Sequence, residues 1–168
     1  MKQPPFKAPM DAPVVKFQQG SDNTCLLSGA ASAVAHLGGL AEAQAIADQR
    51  AVSMEKLDRF TFLRLFVHNS LKGWAAEKVT IRPVGSFDPL QAAVLEATVV
   101  LLEDTRGARN HSVTIAGGWI FDGNYQRALP LNMQSLHSCV GFGRWFKRVV
   151  KVMRIIPGKE VAKRLAVR

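Results

Sequence analysis

Apolar and polar positions divide the chain into a first half with helical spacing and a second half with the spacing of strands. A polar segment, QGSDNT, leads into Cys25, after which apolar residues recur every three or four positions, as on the buried face of a helix. Asn23 or Thr24 is the expected N-cap, and Gly38-Gly39 is expected to end the helix. Its apolar stripe consists of Leu26, Ala30, Ala33, Val34 and Leu37.

Two further helices are predicted before the first strand. Residues 40–52 are helix formers throughout, with apolar residues on one side. Ser53 is the expected cap of the next helix, residues 54–69, whose apolar positions again fall three and four apart. The first half of the chain is therefore expected to form a helical lobe.

The strand signals follow these helices. Residues 78–84 form the first convincing β segment, and Asp88-Pro89 marks the start of a short helix to about Leu95. Residues 97–103, ATVVLLE, are a nearly continuous apolar run, which predicts a central strand covered on both faces. Residues 104–110 are the expected turn after it.

A hairpin signal comes next, in HSVTIAGGWIFDGN. Two short β-type runs are joined by Gly117-Gly118, a dipeptide typical of two-residue hairpin turns. With that turn, Asn124 would face His111 across the hairpin, and Asp122 would lie diagonally on the same face. The hairpin thus offers an imidazole and two candidate partners that could orient it.

A last helix, residues 132–139, and a long strand, residues 144–156, complete the prediction, and Pro157-Gly158 ends the strand. The expected organisation is an extended Pro-rich arm (1–17), a single domain (18–156) and a basic tail (157–168). The expected fold class is α+β: a helical lobe carrying Cys25 packs on a mostly antiparallel sheet carrying His111, with a cleft between them.

These positions suggest a cysteine hydrolase. A thiol is nucleophilic as the thiolate, and the N-terminus of a helix favours that anion at Cys25. His111 would act as general base, with Asp122 or Asn124 fixing its tautomer. The side-chain amide of Gln19 could donate to the oxyanion. Taken alone, one cysteine beside two leucines is more often a small buried hydrophobic residue.

The segment QGSDNTC resembles the papain-like cysteine peptidases, in which a Gln six residues before the nucleophile completes the oxyanion hole. In that family the Cys begins a long buried helix and the His lies on a strand of a following sheet, with an Asn or Asp on the neighbouring strand. The resemblance runs from Gln19 to Asn124 and implies a papain-like fold and cleavage of a peptide or isopeptide bond. It would assign the catalytic roles to Cys25, His111, Gln19 and Asp122, with Asn124 as the alternative third member.

The chain also departs from the closest members of that family. Leu26 stands where papain has Trp, the separation between His and Asp is short, and the disulfide cysteines of the secreted enzymes are missing. The more compact relatives, such as transporter-associated peptidases, deubiquitinase-like domains and viral or mobile-element proteases, are closer to its length of 168 residues.

The amino-acid composition limits the classes of protein to which the chain can belong. With 48% hydrophobic and 21% charged residues, the chain is expected to bury a core without disulfides. Its two cysteines suit a reducing, intracellular compartment, most simply the cytoplasm. No apolar run is long enough to cross a membrane. The early prolines argue against a signal peptide.

The net charge of +9 is concentrated at the C-terminus. Nine Lys and Arg against a single Glu lie from Arg144 to Arg168. Such a segment would attract nucleic acid or an acidic partner, so the alternative function is an inactive papain-like scaffold that binds through this surface. The simpler interpretation is a solvated strand face followed by a frayed tail.

The remaining histidines and the second cysteine are assigned structural roles. His36 and His68 lie near the ends of predicted helices, where a helix C-terminus favours a cation. His137 and Cys139 could form half of a metal site, but no second pair at zinc-type spacing exists. The glycines form no phosphate-binding loop, so neither a metal nor a cofactor is expected.

Overall fold

The computed structural model describes residues 7–18, 24–49, 57–141, 143–159, 163 and 166–167. Within these residues the architecture is α+β, as the sequence predicts, with four α-helices and a six-stranded antiparallel sheet. The helices are α1 (Cys25–His36), α2 (Leu40–Asp48), α3 (Arg59–Ser70) and α4 (Met133–Cys139). The strands are β1 (Ala75–Val79), β2 (Ala97–Asp104), β3 (Arg109–Ala116), β4 (Trp119–Phe121), β5 (Leu129–Pro130) and β6 (Phe146–Ile156).

The first two helices begin where the sequence predicts. α1 starts at Cys25, with Thr24 in the N-cap position but without a capping hydrogen bond from its side chain. The other candidate cap, Asn23, lies outside the described residues. α2 starts at Leu40 and ends at Asp48, before the predicted end at residue 52. Residues 50–56 also lie outside the description.

The third helix begins later than predicted. Its first residue is Arg59 rather than residue 54, and the residue before it, Asp58, has an extended backbone. The Asp58 carboxylate accepts hydrogen bonds from the Thr61 N–H at 3.0 Å and from the Thr61 hydroxyl at 2.8 Å. Asp58 therefore caps α3. The predicted cap, Ser53, lies outside the described residues.

The sheet has the strand order β1-β6-β2-β3-β4-β5. β2 lies near its centre, and all of its residues except Leu101 are buried, which confirms the predicted central strand. One face of the sheet packs against α1 and α3 through a cluster that includes Val99, Phe121 and Met153. The other face carries a second apolar cluster, to which α4 contributes Leu136.

The segment between α3 and β2 differs most from the prediction. β1 covers residues 75–79 rather than 78–84, because Pro83 lacks the N–H that a strand ladder needs and Gly85 turns the chain at a φ of +90°. Asp88 caps the helix after it, as predicted, by accepting the Leu90 N–H at 3.0 Å. That helix is a single 3₁₀ turn, Pro89–Gln91, because the backbone is extended again at Ala92.

The hairpin of β3 and β4 has the predicted register. Ala116 pairs with Trp119 across Gly117-Gly118, whose φ values of +58° and +79° suit a two-residue hairpin turn. The ladder ends where Thr114 pairs with Phe121, so the expectation that Asn124 faces His111 across the ladder is wrong. The chain turns after β4 because the Asp122 side chain accepts the Asn124 N–H at 3.0 Å.

Small residues let α1 approach this hairpin closely. A Cβ atom added to Gly29 would lie 2.9 Å from the Phe121 carbonyl oxygen and 3.2 Å from Thr114 Oγ1. The helix backbone therefore rests directly on β3 and β4, one turn after Cys25. This contact brings the start of α1 close to the start of β3, where His111 lies.

The described part of the N-terminal arm also packs on the domain. The Val15 N–H donates to the Gln126 carbonyl at 2.9 Å, and the Phe17 N–H donates to Ser32 Oγ on α1 at 3.1 Å. Both Ala12 and Val15 are buried. None of the helices in the described part of the chain has the length and apolar character that crossing a bilayer requires.

Candidate active site

Cys25 is the first residue of α1 and is half-buried. Burial alone would raise the pKa of its thiol. The hydrogen bond and charge of His111, together with the backbone N–H groups of Ser112 and Leu26, outweigh burial and lower the pKa below its ordinary value of 9.0. The thiolate is thus stabilised by groups on both α1 and β3.

His111 lies near the start of β3, beside a bulge in its pairing with β2. Its side chain is buried, and Nε2 lies 2.8 Å from Asp122 Oδ1. Burial would lower the pKa of the imidazole, but the hydrogen bonds and charges of Asp122 and Cys25 raise it to about 10. His111 therefore carries its proton at neutral pH.

The His111 imidazole forms hydrogen bonds with both Cys25 and Asp122. Because Asp122 occupies Nε2, the second ring nitrogen, Nδ1, remains for the hydrogen bond with Cys25. A lowered thiol pKa and a raised imidazole pKa together describe a thiolate–imidazolium pair. Such a pair combines a nucleophile with an acid that can later protonate a leaving group.

Asp122 is 1% exposed and lies just after β4. Its Oδ1 accepts from both His111 Nε2 and the Asn124 N–H, whereas its buried Oδ2 accepts from no N–H or O–H group of the described residues. Asn124 contributes only this backbone N–H, and the residue itself is exposed. Between the two candidate partners of His111, Asp122 is the one within hydrogen-bond distance of the imidazole.

The predicted oxyanion residue, Gln19, lies outside the described residues. A donor from the chain itself is available, because Cys25 is the first residue of α1 and the first N–H groups of a helix have no partner within it.

Two neighbours of the site were not predicted from the sequence. Cys139, at the end of α4, is buried, and its burial and the adjacent Asp122 carboxylate raise the pKa of its thiol well above 9.0. Ser112 directs its backbone N–H toward the Cys25 thiol. Only the tertiary fold places these groups there, so no local sequence signal could have found them.

The other histidines lie outside this arrangement. His36, in the last turn of α1, packs against the Phe121 ring with the ring centroids 5.3 Å apart, and burial lowers its pKa. His68 is exposed in the last turn of α3. His137 Nδ1 accepts the Phe146 N–H at 2.9 Å. Among the described residues, no three His, Cys, Asp or Glu side chains are grouped so that they could hold a metal ion.

Comparisons with protein-family models, with curated proteins and with solved structures find no match to this chain.

Proposed function

We propose that the chain is a papain-like cysteine hydrolase that cleaves a peptide or isopeptide bond through a thioester. The observation that carries the proposal is the position of His111, which bonds the Cys25 thiol on one side and the Asp122 carboxylate at 2.8 Å on the other. A lowered thiol pKa beside a raised imidazole pKa is the electrostatic arrangement that such chemistry needs.

In the first half of the reaction, the Cys25 thiolate attacks the carbonyl carbon of the scissile bond. The Cys25 N–H donates to the oxyanion that forms, and the Gln19 side chain is proposed as the second donor. As the tetrahedral intermediate collapses, the His111 imidazolium gives its proton to the leaving amine. The products of this half are a thioester on Cys25 and a free amine.

In the second half, neutral His111 takes a proton from water, and the hydroxide attacks the thioester carbonyl. Collapse of this intermediate releases the carboxylic acid and restores the thiolate beside the imidazolium. Asp122 holds the imidazole with Nδ1 toward the sulfur throughout. The amine-releasing step needs the imidazolium, so cleavage should decline as the pH rises above about 10.

The alternative, an inactive scaffold that binds nucleic acid or an acidic partner through residues 144–168, has less support. Three of the arginines in that segment already pair with carboxylates of the same chain. The pairs are Arg144 with Asp104 at 3.5 Å, Arg148 with Glu103 at 2.8 Å and Arg154 with Glu96 at 3.3 Å. Three of the nine basic residues of this segment are therefore paired within the described part of the fold.

A peptide ending in a thiol-reactive electrophile tests the proposal. The native chain should form a covalent adduct, which intact-mass spectrometry detects and peptide mapping places on Cys25. The Cys25→Ala variant should form none. Equal labelling of the variant, or labelling of the unfolded chain alone, would contradict the proposal.

A further inference from the structure

A groove lies between the start of α3, the segment after β1, and β6. It has a volume of about 460 Å³ and is lined by residues of all three. β1 and β6 pair only as far as Val79 with Val152, where β1 ends, whereas β6 includes residues 146–151 as well. The groove lies where this pairing ends. In the described part of the chain, the edge of β6 at residues 146–151 that faces β1 therefore has no neighbouring strand.

Four basic residues line the groove, which is called the cationic groove below: Arg64, Lys78, Arg82 and Lys151. Within the described residues none of them forms an ion pair, whereas three arginines at residues 144–154 each bind a carboxylate. Lys78, Arg82 and Lys151 are exposed. The groove therefore gathers positive charge that the fold does not neutralise by direct pairing.

One carboxylate, that of Asp58, also lines the groove. It is committed to capping α3 through its hydrogen bonds with Thr61, and these bonds and the nearby Lys151 lower its pKa. Four cations against one anion leave an excess of three positive charges around the cavity. Like charges held together repel one another, so an anionic ligand would relieve that repulsion.

The lining of the groove favours one class of anion. The edge of β6 beyond its pairing with β1 has no partner strand among the described residues, so an extended polypeptide can add there. Single-stranded nucleic acid would need open aromatic faces for base stacking. The aromatic ring of the groove, Phe60, already has the Lys151 ammonium 5.9 Å from its centroid.

We propose that the cationic groove binds an acidic polypeptide segment in an extended conformation. The segment adds beside β6, and its carboxylates pair with Lys78, Arg82 and Lys151. The site is built from residues other than Cys25, His111 and Asp122, so it does not rest on the proposed hydrolase activity.

Fluorescence anisotropy with a labelled peptide of alternating Glu and Val tests this on the full chain. The peptide should bind, and the same peptide with Gln for Glu should bind at least about tenfold more weakly, with added salt weakening the Glu peptide further. Lys78→Glu and Arg82→Glu should each lower the affinity by about tenfold. Both residues are exposed, so the fold should survive, as circular dichroism would verify.

Lys147→Glu is the matched control, because it makes the same charge change at an exposed position of β6 that does not line the groove. It should change the affinity by less than about threefold, and Cys25→Ala should leave it unchanged. Equal loss in Lys147→Glu, equal binding of the Gln peptide, or loss of binding in Cys25→Ala would overturn the proposal. Tighter binding of a single-stranded RNA that displaces the peptide would also overturn it.

Discussion

His111 Nε2 lies 2.8 Å from Asp122 Oδ1, and both side chains are buried where β3 begins and β4 ends. The two residues belong to one hairpin, so the length of the hairpin and its two-residue turn set their separation. α1 then presents Cys25 to the free side of the imidazole. The arrangement of the candidate site depends on this relationship.

Replacing Asp122 should disable the imidazole. In Asp122→Ala, His111 loses the hydrogen bond and the charge that raise its pKa to about 10, so it no longer holds the Cys25 thiolate effectively. We expect the rate of Cys25 alkylation at neutral pH to fall roughly a hundredfold. Asn124→Ala is the control, because only the backbone N–H of Asn124 contacts Asp122, and its rate should stay within about twofold. The opposite ranking of the two variants would make Asn124 the partner.

Gly29→Ala should destabilise the protein although alanine is the better helix former. The added Cβ would lie 2.9 Å from the Phe121 carbonyl, so α1 must move away from the hairpin. We expect a loss of about 1–3 kcal/mol in the free energy of unfolding, measured with urea. Ala41→Gly, on the exposed side of α2, gives the intrinsic Gly–Ala difference of about 0.5–1 kcal/mol without a steric contact. A more stable Gly29→Ala variant would contradict the close packing of α1.

The His111 proton should make stability depend on pH. The folded imidazole keeps its proton to about pH 10, while the unfolded one releases it near 6.5, so the folded state binds more protons between these values. The stability from this proton is fully present below 6.5 and is lost as the pH rises through about 10. The difference in unfolding free energy between the native chain and His111→Ala should therefore shrink on the alkaline side. A difference that grows there would have the wrong sign.

Cys139 should be inert while the protein is folded. It is buried, and burial and the Asp122 carboxylate raise the pKa of its thiol, so its thiolate is scarce. A small alkylating reagent should modify Cys25 in the native protein and both cysteines after unfolding in urea. Modification of Cys139 at a rate comparable to that of Cys25 in the native state would contradict the burial of α4 against the sheet.

The sequence predicts those parts of the molecule that local chemistry determines. Gly117-Gly118 defines a turn of fixed length, so the pairing of Ala116 with Trp119 follows from the residues of the hairpin alone. The same holds for the start of α1 at Cys25. The start of α3 did not follow from the local pattern, which predicts residue 54, whereas the helix begins at Arg59 after its Asp58 cap.

Features that depend on distant parts of the chain could not be predicted. The strand ladder stops after Phe121, which decides that Asp122 rather than Asn124 meets the imidazole. The approach of α4 places Cys139 beside Asp122. The cationic groove exists because β1 pairs with β6 over part of its length, and no pattern within either segment shows where that pairing ends.

The most direct test of the central claim is the pKa of the Cys25 thiol in the native protein. The ultraviolet absorbance of the thiolate can be titrated in the native chain, and the same titration of Cys25→Ser, when subtracted, isolates Cys25. The account predicts a pKa below 9.0, which rises in His111→Ala because the hydrogen bond and charge of the imidazole no longer oppose the effect of burial. A native value at or above 9.0, or one that His111→Ala leaves unchanged, would contradict it.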